Sequence, residues 1–409
     1  MNYPIMKKTK FRDVNSVIKH SERGFEYAYA HGVMGLKGRP GAGRAFVLKD
    51  GRRIVDFARG SYLGLDNHPK IIEGAVKALT DYGVLQCNTA RTRLNLDISD
   101  ELEYRLSDLF QARTILSSLV LTANMAVLPL IASGAFTEWE PPLVVFDKLA
   151  HATLTFHKPV MAEDTEVITC QHNDLHKIES LCKTHKRVAY ILDGVYSMGG
   201  HAPMEDLLYL QDKYGLFLYI DDAHGTSVYG QRGEGFARQF IGGELGDRTI
   251  IAASLGKAFG AGGAALMLGN ALQEQLITRY GVPYAFAIGP NVATIGAALA
   301  SVDIHNSAEL GERQRRLRNI LERFDAAVPT EQSGSITPIR MIKLGAEQSA
   351  IDCADWLLNQ GYYLTAAFYP TVARDNAGLR LCLTSEHTAE QIDEAAHLIA
   401  QWKAGQVRT

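Results

Sequence analysis

Short apolar runs alternate with helical segments from Pro69 onward, and this alternation constrains the fold more than any other feature of the sequence. Apolar residues recur with helical spacing in KIIEGAVKALTDYG and SDELEYRLSDLFQ. The runs that predict strands are TILSS, PLVVFD, EVITC, VAYILD, LFLYID and TIIAAS. Strands that alternate with helices predict a mostly parallel sheet covered on both faces, that is, an α/β fold.

The pattern changes on either side of this region, so the chain is expected to have three consecutive parts. Residues 1–65 predict an N-terminal arm and a small β segment, in which Asp50-Gly51 between apolar runs marks a hairpin turn. Residues 66–297 predict the large domain of the α/β fold. Residues 298–409 predict a smaller α+β C-terminal domain, with helices in AELGERQRRLRNILERF, near DCADWLLNQ and at the end, and strands in ITPIRMIKL and LRLCLT.

Composition excludes several classes of function. The chain has 409 residues, of which 46% are hydrophobic, so it can bury a large core. Its 42 basic and 45 acidic residues are spread evenly and give a formal net charge of −3, which offers no broad attraction for nucleic acid or for an anionic membrane. A small-molecule substrate is therefore expected.

The cysteines and the N-terminus predict a cytoplasmic protein. The five cysteines are odd in number and widely separated, and they form no CxxC pair, so we expect reduced thiols and no metal site. They are Cys87, Cys170, Cys182, Cys353 and Cys382. The N-terminus is basic, but no apolar segment of a secretory signal follows it, and no window approaches the ~20 apolar residues of a membrane span.

Polar residues follow four of the predicted strands, at the edge of the sheet where open α/β folds bind ligands. Each residue alone is as well explained by a helix cap, a turn or a structural histidine. Together, an acid, two imidazoles, a hydroxyl and a lysine suit a cofactor with a pyridine ring, a phenolic oxygen, an aldehyde and a phosphate, as in pyridoxal 5′-phosphate (PLP). The strand ends and the residues after them are Asp147 with His151, Asp193 with Ser197, Asp221 with His224, and Ser254 with Lys257.

Two segments give the most specific indication of this cofactor. Lys257 lies in SLGKAFGAGGAA, where small residues let a planar cofactor approach the backbone, and the strand before it argues against free exposure. In LYIDDAHG, Asp221 is predicted to keep a pyridine nitrogen protonated, and His224 to hydrogen-bond the phenolic oxygen. Asp222 is predicted to be a turn or cap residue, with an exchange of roles between the two aspartates as the alternative.

Six sequence blocks resemble the α-oxoamine synthase family and occur in the family's order over nearly the whole chain. They are LYIDDAHG, SLGKAFG, VFDKLAHAT, DGVYSMGGHAPM, DFARGSYLGLDNHPKI and GLRLCLTSEHT. The resemblance implies an aspartate aminotransferase-like fold, PLP as the cofactor, and a homodimer with active sites at the subunit interface. It also implies that an α-amino acid condenses with an acyl thioester, carried by coenzyme A or by acyl carrier protein, with loss of CO2.

The resemblance also implies roles for single residues. Lys257 is implied as the Schiff-base lysine, Asp221 as the partner of the pyridine nitrogen, and His151 as the imidazole stacked on the ring. His224 and Ser197 are implied as partners of the phenolic oxygen. The remaining implied contacts are those of Ser254, Leu121, Thr122 and Asn124 near the phosphate and that of Arg380 with the substrate carboxylate.

Three departures from the family pattern fall at the substrate and phosphate positions. Residues 119–124 read LVLTAN where the family has Ser-Gly-aromatic before Ala-Asn, so phosphate binding is expected from backbone amides, with a hydroxyl from Thr122. Gly60 replaces the family's asparagine in RGSYLG, and Arg59 is a candidate to compensate in carboxylate binding. Residues 285–290, AFAIGP, lack the Ser or Thr through which a partner subunit would bind phosphate.

Two other functions remain as alternatives. An aminotransferase or an amino-acid lyase can share this fold, because the fold alone does not determine the reaction, although the stacked histidine and the DDAHG block favour the synthase. A cofactor-free regulatory subunit is disfavoured because Lys257, Asp221 and His151 are all present. No feature predicts which amino acid or which acyl chain is used.

Overall fold

The computed structural model describes residue 11, residues 13–84 and residues 90–406, and it divides into two compact units. Cys87, whose thiol is predicted to be reduced, and the basic N-terminal residues lie outside the described residues. The first unit joins the described residues up to 58 with residues 341–381 and those from 401 onward, and the second joins residues 59–340 with 382–400. The three consecutive parts predicted from the sequence have other boundaries and stay a prediction.

The strands of the described residues lie in three sheets. In chain order they are β1 (Gly38–Pro40), β2 (Ala45–Leu48), β3 (Arg53–Asp56), β4 (Arg113–Ser117), β5 (Leu143–Asp147), β6 (Val167–Cys170), β7 (Val188–Asp193), β8 (Phe217–Asp221), β9 (Thr249–Ser254), β10 (Ala264–Leu268), β11 (Ile339–Gly345), β12 (Tyr362–Tyr363), β13 (Thr365–Ala367) and β14 (Ala377–Cys382).

The helices connect these strands and lie at the two ends of the chain. In chain order they are α1 (Val14–Ala30), α2 (Pro69–Tyr82), α3 (Asp97–Phe110), α4 (Val120–Ala132), α5 (Ala152–Thr155), α6 (Lys158–Met161), α7 (Leu175–Thr184), α8 (Met204–Tyr214), α9 (Phe236–Gln239), α10 (Ala271–Tyr280), α11 (Val282–Phe286), α12 (Val292–His305), α13 (Ala308–Ala327), α14 (Glu347–Asn359) and α15 (Ala389–Gln406). Among these described helices, none combines the length and the apolar character that a membrane span requires.

A seven-stranded sheet forms the centre of the second unit, in the order β4-β10-β9-β8-β7-β5-β6. The strands β6, β5, β7, β8 and β9 pair in parallel, whereas β10 runs antiparallel to both of its neighbours. Every residue of β5, β7, β8 and β9 is buried, so both faces of the sheet are covered, as their continuous apolar runs require. The predicted mostly parallel α/β sheet is confirmed.

The strand β10 is not among the strands predicted from the sequence. It follows a glycine-rich turn and begins with two alanines, which carry little preference for strands. Ala264 pairs with Ser254 across β9 and β10, so the two strands form a hairpin around the turn at residues 255–263. This hairpin fixes the backbone on both sides of Lys257.

The helices α2 and α12 cross at two glycines in the second unit. A Cβ atom added at Gly74 would lie 2.5 Å from the carbonyl oxygen of Gly296, and one added at Gly296 would lie 2.3 Å from the carbonyl oxygen of Gly74. Real Cβ atoms do not approach oxygen this closely, so the crossing depends on the missing side chains.

The first unit contains the small sheets and the helices that pack on them. Its four-stranded sheet has the order β1-β2-β3-β12, and the predicted hairpin is confirmed because β2 and β3 pair antiparallel around Gly51, whose φ is +89°. A three-stranded sheet, β11-β14-β13, places Arg380 opposite Thr365. Across both units, the predicted helices and strands in residues 308–406 are all present as α13, β11, α14, β14 and α15.

Candidate active site

Lys257 lies in the turn between β9 and β10, where its side chain is half-buried. Its Nζ lies 3.0 Å from Nε2 of His224. The N–H of Gly260 donates to the carbonyl oxygen of Lys257 at 3.0 Å, which closes the turn. A Cβ atom added at Gly60 would lie 3.6 Å from Cγ of Lys257, so the lack of a side chain at position 60 leaves space beside the lysine.

His224 is buried and is held from its other side by Tyr62. The phenol oxygen of Tyr62 lies 2.7 Å from Nδ1 of His224, and Tyr62 itself is fully buried. Sequence reasoning missed Tyr62, because 162 residues separate it from the histidine. The one available signal was its place in the block RGSYLG. The phenol of Tyr62, the imidazole of His224 and the amine of Lys257 are therefore connected by two successive hydrogen-bond contacts.

Two carboxyl groups lie side by side at the ends of the neighbouring strands β7 and β8. Asp193 pairs in register with Asp221, and both are buried. Burial, followed by the charge of Asp221, raises the pKa of the Asp193 carboxyl well above its usual range, although the backbone N–H of His151 at 2.9 Å and the charge of Lys257 oppose this rise. Burial and the neighbouring charge thus favour the neutral form of the Asp193 carboxyl.

Asp222 makes contacts of a different kind from its neighbour Asp221. Its Oδ2 accepts the N–H of Ala237 at 3.1 Å, in the first turn of α9. A Cβ atom added at Gly225 would lie 2.1 Å from Oδ1, so the chain closes tightly around this carboxyl. Burial raises the pKa of Asp222 to about 8. These contacts are those of an anchor for the loop, which agrees with a turn or cap role.

His151 lies directly after β5 and is half-buried at the start of α5. Its Nδ1 accepts the backbone N–H of Thr153 at 3.3 Å and lies 2.8 Å from Oγ1 of the same threonine. The threonine oxygen lies 3.1 Å from Nδ2 of Asn124, whose Oδ1 accepts from the hydroxyl of Tyr219 at 2.6 Å. Both ends of the Asn124 amide are therefore bonded to the protein.

The start of α4 contains Leu121 and Thr122, the predicted phosphate contacts. The hydroxyl of Thr122 accepts the N–H of Leu119 at 3.0 Å and lies 2.8 Å from the hydroxyl of Ser117, so it caps the helix. Leu121 is exposed, with 41% of its surface accessible. The N–H groups of the first turn, which an α-helix leaves without helical partners, are the groups best placed for an anion.

The two predicted serines lie after β7 and at the end of β9. Ser254 is the last residue of β9, and its hydroxyl accepts the N–H of Gly256 at 3.2 Å in the turn that leads to Lys257. Ser197 is half-buried in the turn at residues 194–202, which is closed by the N–H of Ala202 donating to the oxygen of Gly194.

The two arginines predicted for the substrate carboxylate lie in different units. Arg59 lies in the second unit and pairs with Asp66 at 3.3 Å, while Ser61 donates to the other oxygen of that aspartate at 2.6 Å. Arg380 lies on β14 in the first unit and is half-buried. Carboxylate binding by either arginine stays a prediction. No group of three metal-ligating side chains occurs within the part of the chain that the structure describes.

This mixed sheet, with a turn lysine that contacts a histidine beside paired carboxyls, agrees with the class I and II aminotransferase group of enzymes. The family model described as Aminotransferase class I and II matches residues 52–399. The chain belongs to this family and, within it, to the α-oxoamine synthases, which are PLP-dependent acyltransferases. The predicted family and fold are therefore confirmed.

Two sequence relatives support this assignment, and one solved structure supports the fold. The 8-amino-7-oxononanoate synthase of Chromobacterium violaceum is 31% identical over 86% of this chain and 90% of that protein. The enzyme with the same name from Alkaliphilus metalliredigens is 29% identical over 90% of this chain and 91% of that protein. The solved serine palmitoyltransferase of Sphingomonas wittichii superposes with a TM-score of 0.83 at 19% identity, and the match covers 96% of this chain and 99% of that one.

Proposed function

We propose that this protein catalyses the PLP-dependent decarboxylative condensation of an α-amino acid with an acyl thioester. The products are an α-amino ketone, CO2 and the free thiol of coenzyme A or of acyl carrier protein. The observation that carries the proposal is the 3.0 Å contact between Nζ of Lys257 and Nε2 of His224, beside the paired carboxyls of Asp193 and Asp221. Family membership supplies the class of reaction.

The donor set of the site fits PLP group by group. It offers an amine for the aldehyde, a carboxylate for the pyridine nitrogen, an imidazole for the phenolic oxygen and a helix start for the phosphate. The absent side chain at Gly60 leaves room next to Lys257. PLP bound there supplies a protonated pyridine ring that accepts the electron pair left when a bond to the substrate α-carbon breaks.

Lys257 has two tasks in this proposal. Its Nζ would hold the aldehyde carbon of the cofactor and, once displaced by the amino acid, would take the proton from the substrate α-carbon. The imidazole of His224 at 3.0 Å orients the amine and offers it a hydrogen-bond partner in either protonation state. The charge of Asp221 would keep the proton on the pyridine nitrogen. The raised pKa of the Asp193 carboxyl favours its neutral form, so Asp193 would not add a second negative charge there.

The remaining predicted residues position the cofactor and the substrate. His151 would stack on the ring, Ser197 would share the phenolic oxygen with His224, and the N–H groups at the start of α4 would bind the phosphate. Arg380 alone would bind the substrate carboxylate through a bidentate guanidinium, with compensation by Arg59 as the alternative. The other predicted phosphate contacts are Ser254, Leu121, Thr122 and Asn124, of which Thr122 and Asn124 already bond the protein.

We infer that the protein acts as a homodimer in the cytoplasm. The helices α4 and α11 pack together and expose apolar side chains, among them Met125, Val282 and Phe286, and Phe286 is 77% accessible. Apolar surface of this kind is typical of an interface with a second copy. Reduced thiols at Cys170 and Cys353 are consistent with a cytoplasmic protein.

The test is a mass-spectrometric screen of purified, PLP-loaded protein with amino acids and acyl thioesters, with CO2 and free thiol measured together. We expect CO2 and thiol to be released in equal amounts and only when both substrates are present. Formation of a keto acid without thiol release would instead identify an aminotransferase.

A lysine variant provides the second arm of this test. We expect Lys257→Ala to lose both the product and the absorbance of the lysine-bound cofactor, while the circular dichroism spectrum stays unchanged. Lys148→Ala is the matched control, because Lys148 follows another strand of the same sheet and contacts Gln171. Appreciable turnover by Lys257→Ala would contradict the proposal.

A further inference from the structure

Four side chains of the second unit form a continuous hydrogen-bond chain that ends on the imidazole of His151. The hydroxyl of Tyr219 lies 2.6 Å from Oδ1 of Asn124, Nδ2 of Asn124 lies 3.1 Å from Oγ1 of Thr153, and Oγ1 of Thr153 lies 2.8 Å from Nδ1 of His151. Tyr219 and Asn124 are both fully buried, so water cannot replace the contact between them.

The two distances at Asn124 decide which way its amide faces. An O–H···O bond is ordinarily about 2.7 Å and an N–H···O bond about 2.9 Å. The 2.6 Å contact with Tyr219 therefore suits the amide oxygen, and the 3.1 Å contact with Thr153 suits the amide nitrogen. Burial raises the pKa of Tyr219 well above its usual range, so its hydroxyl keeps its proton and donates to Asn124.

The direction of the chain then follows up to His151. Because Nδ2 of Asn124 can only donate, Oγ1 of Thr153 accepts from it, and the threonine hydrogen is available to Nδ1 of His151. The backbone N–H of Thr153 also points at Nδ1, at 3.3 Å, and an amide N–H cannot reverse its role. Nδ1 thus faces two donors, and a proton on it would meet both of them.

We propose that Asn124 and Thr153 are positioning residues that hold His151 as the neutral tautomer with its single proton on Nε2. This assignment reinterprets Asn124, which the sequence predicts as a residue near the phosphate. The geometry stands on the contacts above, whereas its consequence for turnover rests on the proposed function.

The tautomer determines what His151 offers to the site. A neutral ring places no positive charge against a protonated pyridine, which an imidazolium would oppose by like-charge repulsion. The same ring has one N–H donor, at Nε2, in an orientation fixed through Nδ1. Support of this kind, in which a second hydrogen bond selects the histidine nitrogen that carries the proton, is common around functional histidines.

The tautomer is measurable in the holoenzyme without any turnover. Long-range ¹H–¹⁵N correlation spectra of protein labelled with ¹⁵N-histidine distinguish the two ring nitrogens, and the His151→Gln spectrum identifies the signal among the 13 histidines. We expect the His151 signal to show a protonated Nε2 and an unprotonated Nδ1 at neutral pH. A proton on Nδ1, or on both nitrogens, would overturn the proposal whatever the threonine variants show.

Two threonine variants test the role of the chain. Thr153→Val keeps the shape but removes the hydroxyl, so we expect the two nitrogen shifts to move toward each other and kcat to fall about 5- to 10-fold, the loss of roughly one hydrogen bond. Thr153→Ser should restore both values. Thr155→Val is the matched control on the same short helix, because its hydroxyl donates to the carbonyl oxygen of Ala152 at 3.4 Å.

The outcomes separate this inference from the proposed function. A Thr153→Val protein with the wild-type His151 signal would overturn the positioning role, whatever its kcat. If the Nε2–H signal changes in Thr153→Val while the wild-type protein forms no amino ketone, the positioning role is supported and the proposed function is contradicted.

Discussion

Nζ of Lys257 lies 3.0 Å from Nε2 of His224, so the amine of the β9–β10 turn and the imidazole that follows β8 are in direct contact. Nδ1 of the same imidazole contacts Tyr62 at 2.7 Å. A ring fixed at both nitrogens cannot rotate without breaking a bond. The position of the amine is therefore coupled, through the imidazole of His224, to the phenol of Tyr62.

The first prediction concerns this phenol. In Tyr62→Phe, Nδ1 of His224 loses a buried partner, so we expect the free energy of unfolding to fall by about 1–3 kcal/mol. We also expect the pH midpoint of the absorbance of the lysine-bound cofactor to move upward by up to about one unit. The reason is that the His224 imidazole, without Tyr62, would hydrogen-bond the phenolic oxygen of the cofactor less firmly through Nε2. Spectrophotometric titration of the holoenzyme measures it.

Tyr363→Phe is the control for this prediction. Tyr363 lies in the first unit, where its hydroxyl donates to the carbonyl oxygen of Val33 at 3.2 Å. This variant should leave the titration midpoint at the wild-type value. Equal midpoints in both variants would show that Tyr62 does not influence the cofactor through His224.

The second prediction contrasts the two neighbouring aspartates. Asp221→Asn removes the charge proposed to hold the pyridine nitrogen protonated, and we expect kcat to fall about 10²-fold, the equivalent of a charged hydrogen bond of about 3 kcal/mol. Asp222→Asn should retain most of the activity because Asp222 bonds Ala237 in a loop. Steady-state kinetics of both variants test this, and the reverse ranking would mean that the roles are exchanged.

The third prediction is a dependence of stability on pH. Burial raises the pKa of Asp222 from an ordinary value of 3.8 to about 8. Because the folded state holds the proton more tightly than the unfolded state, this group's contribution to stability is present below about pH 4 and is lost as the pH rises through about 8. The amide in Asp222→Asn does not titrate, so this variant lacks that dependence of stability on pH.

We therefore expect the melting temperature of Asp222→Asn, relative to the wild type, to increase from pH 5 to about pH 8 and to level off toward pH 9. Thermal unfolding of both proteins across this range, in the same cofactor state, measures the difference. A difference that is constant with pH would show that Asp222 is ionised in the folded protein throughout.

The fourth prediction tests the crossing of α2 and α12. In Gly296→Ala, the new Cβ would meet the backbone oxygen of Gly74 at 2.3 Å, so the helices must separate, and we expect a loss of about 1–3 kcal/mol of stability. Gly311→Ala on α13 is the control, since its Cβ would meet no atom closer than 3.6 Å and alanine favours helix by up to about 1 kcal/mol. Urea denaturation should give opposite signs for the two variants.

The central sheet could be predicted because each parallel strand is a continuous apolar run that ends in a polar residue. This pattern identified β5, β7, β8 and β9, and it placed Asp221 and Lys257 at one edge. The strand β10 was missed because alanine and glycine carry no periodic signal. Its antiparallel direction depends on pairing with both neighbours, which a local pattern does not encode.

The contacts between side chains were less accessible to sequence reasoning. The pairing of Asp193 with Asp221 depends on the register of two strands, and the contact of Tyr62 with His224 joins segments 162 residues apart. Asn124 shows a further limit: its place near the phosphate stays a prediction, and the sequence did not indicate that its amide bonds Thr153 and Tyr219. Such hydrogen bonds follow from three-dimensional packing and not from spacing along the chain.

The β9–β10 hairpin also bears on how such an enzyme could acquire new substrates. Both ends of the turn that carries Lys257 are held by strands in the middle of the sheet, with β8 on one side and β4 on the other. A substitution there would displace the amine itself. In laboratory evolution toward other acyl chains, adaptive changes should therefore accumulate outside residues 249–268, and this hairpin should be the part of the site that selection leaves untouched.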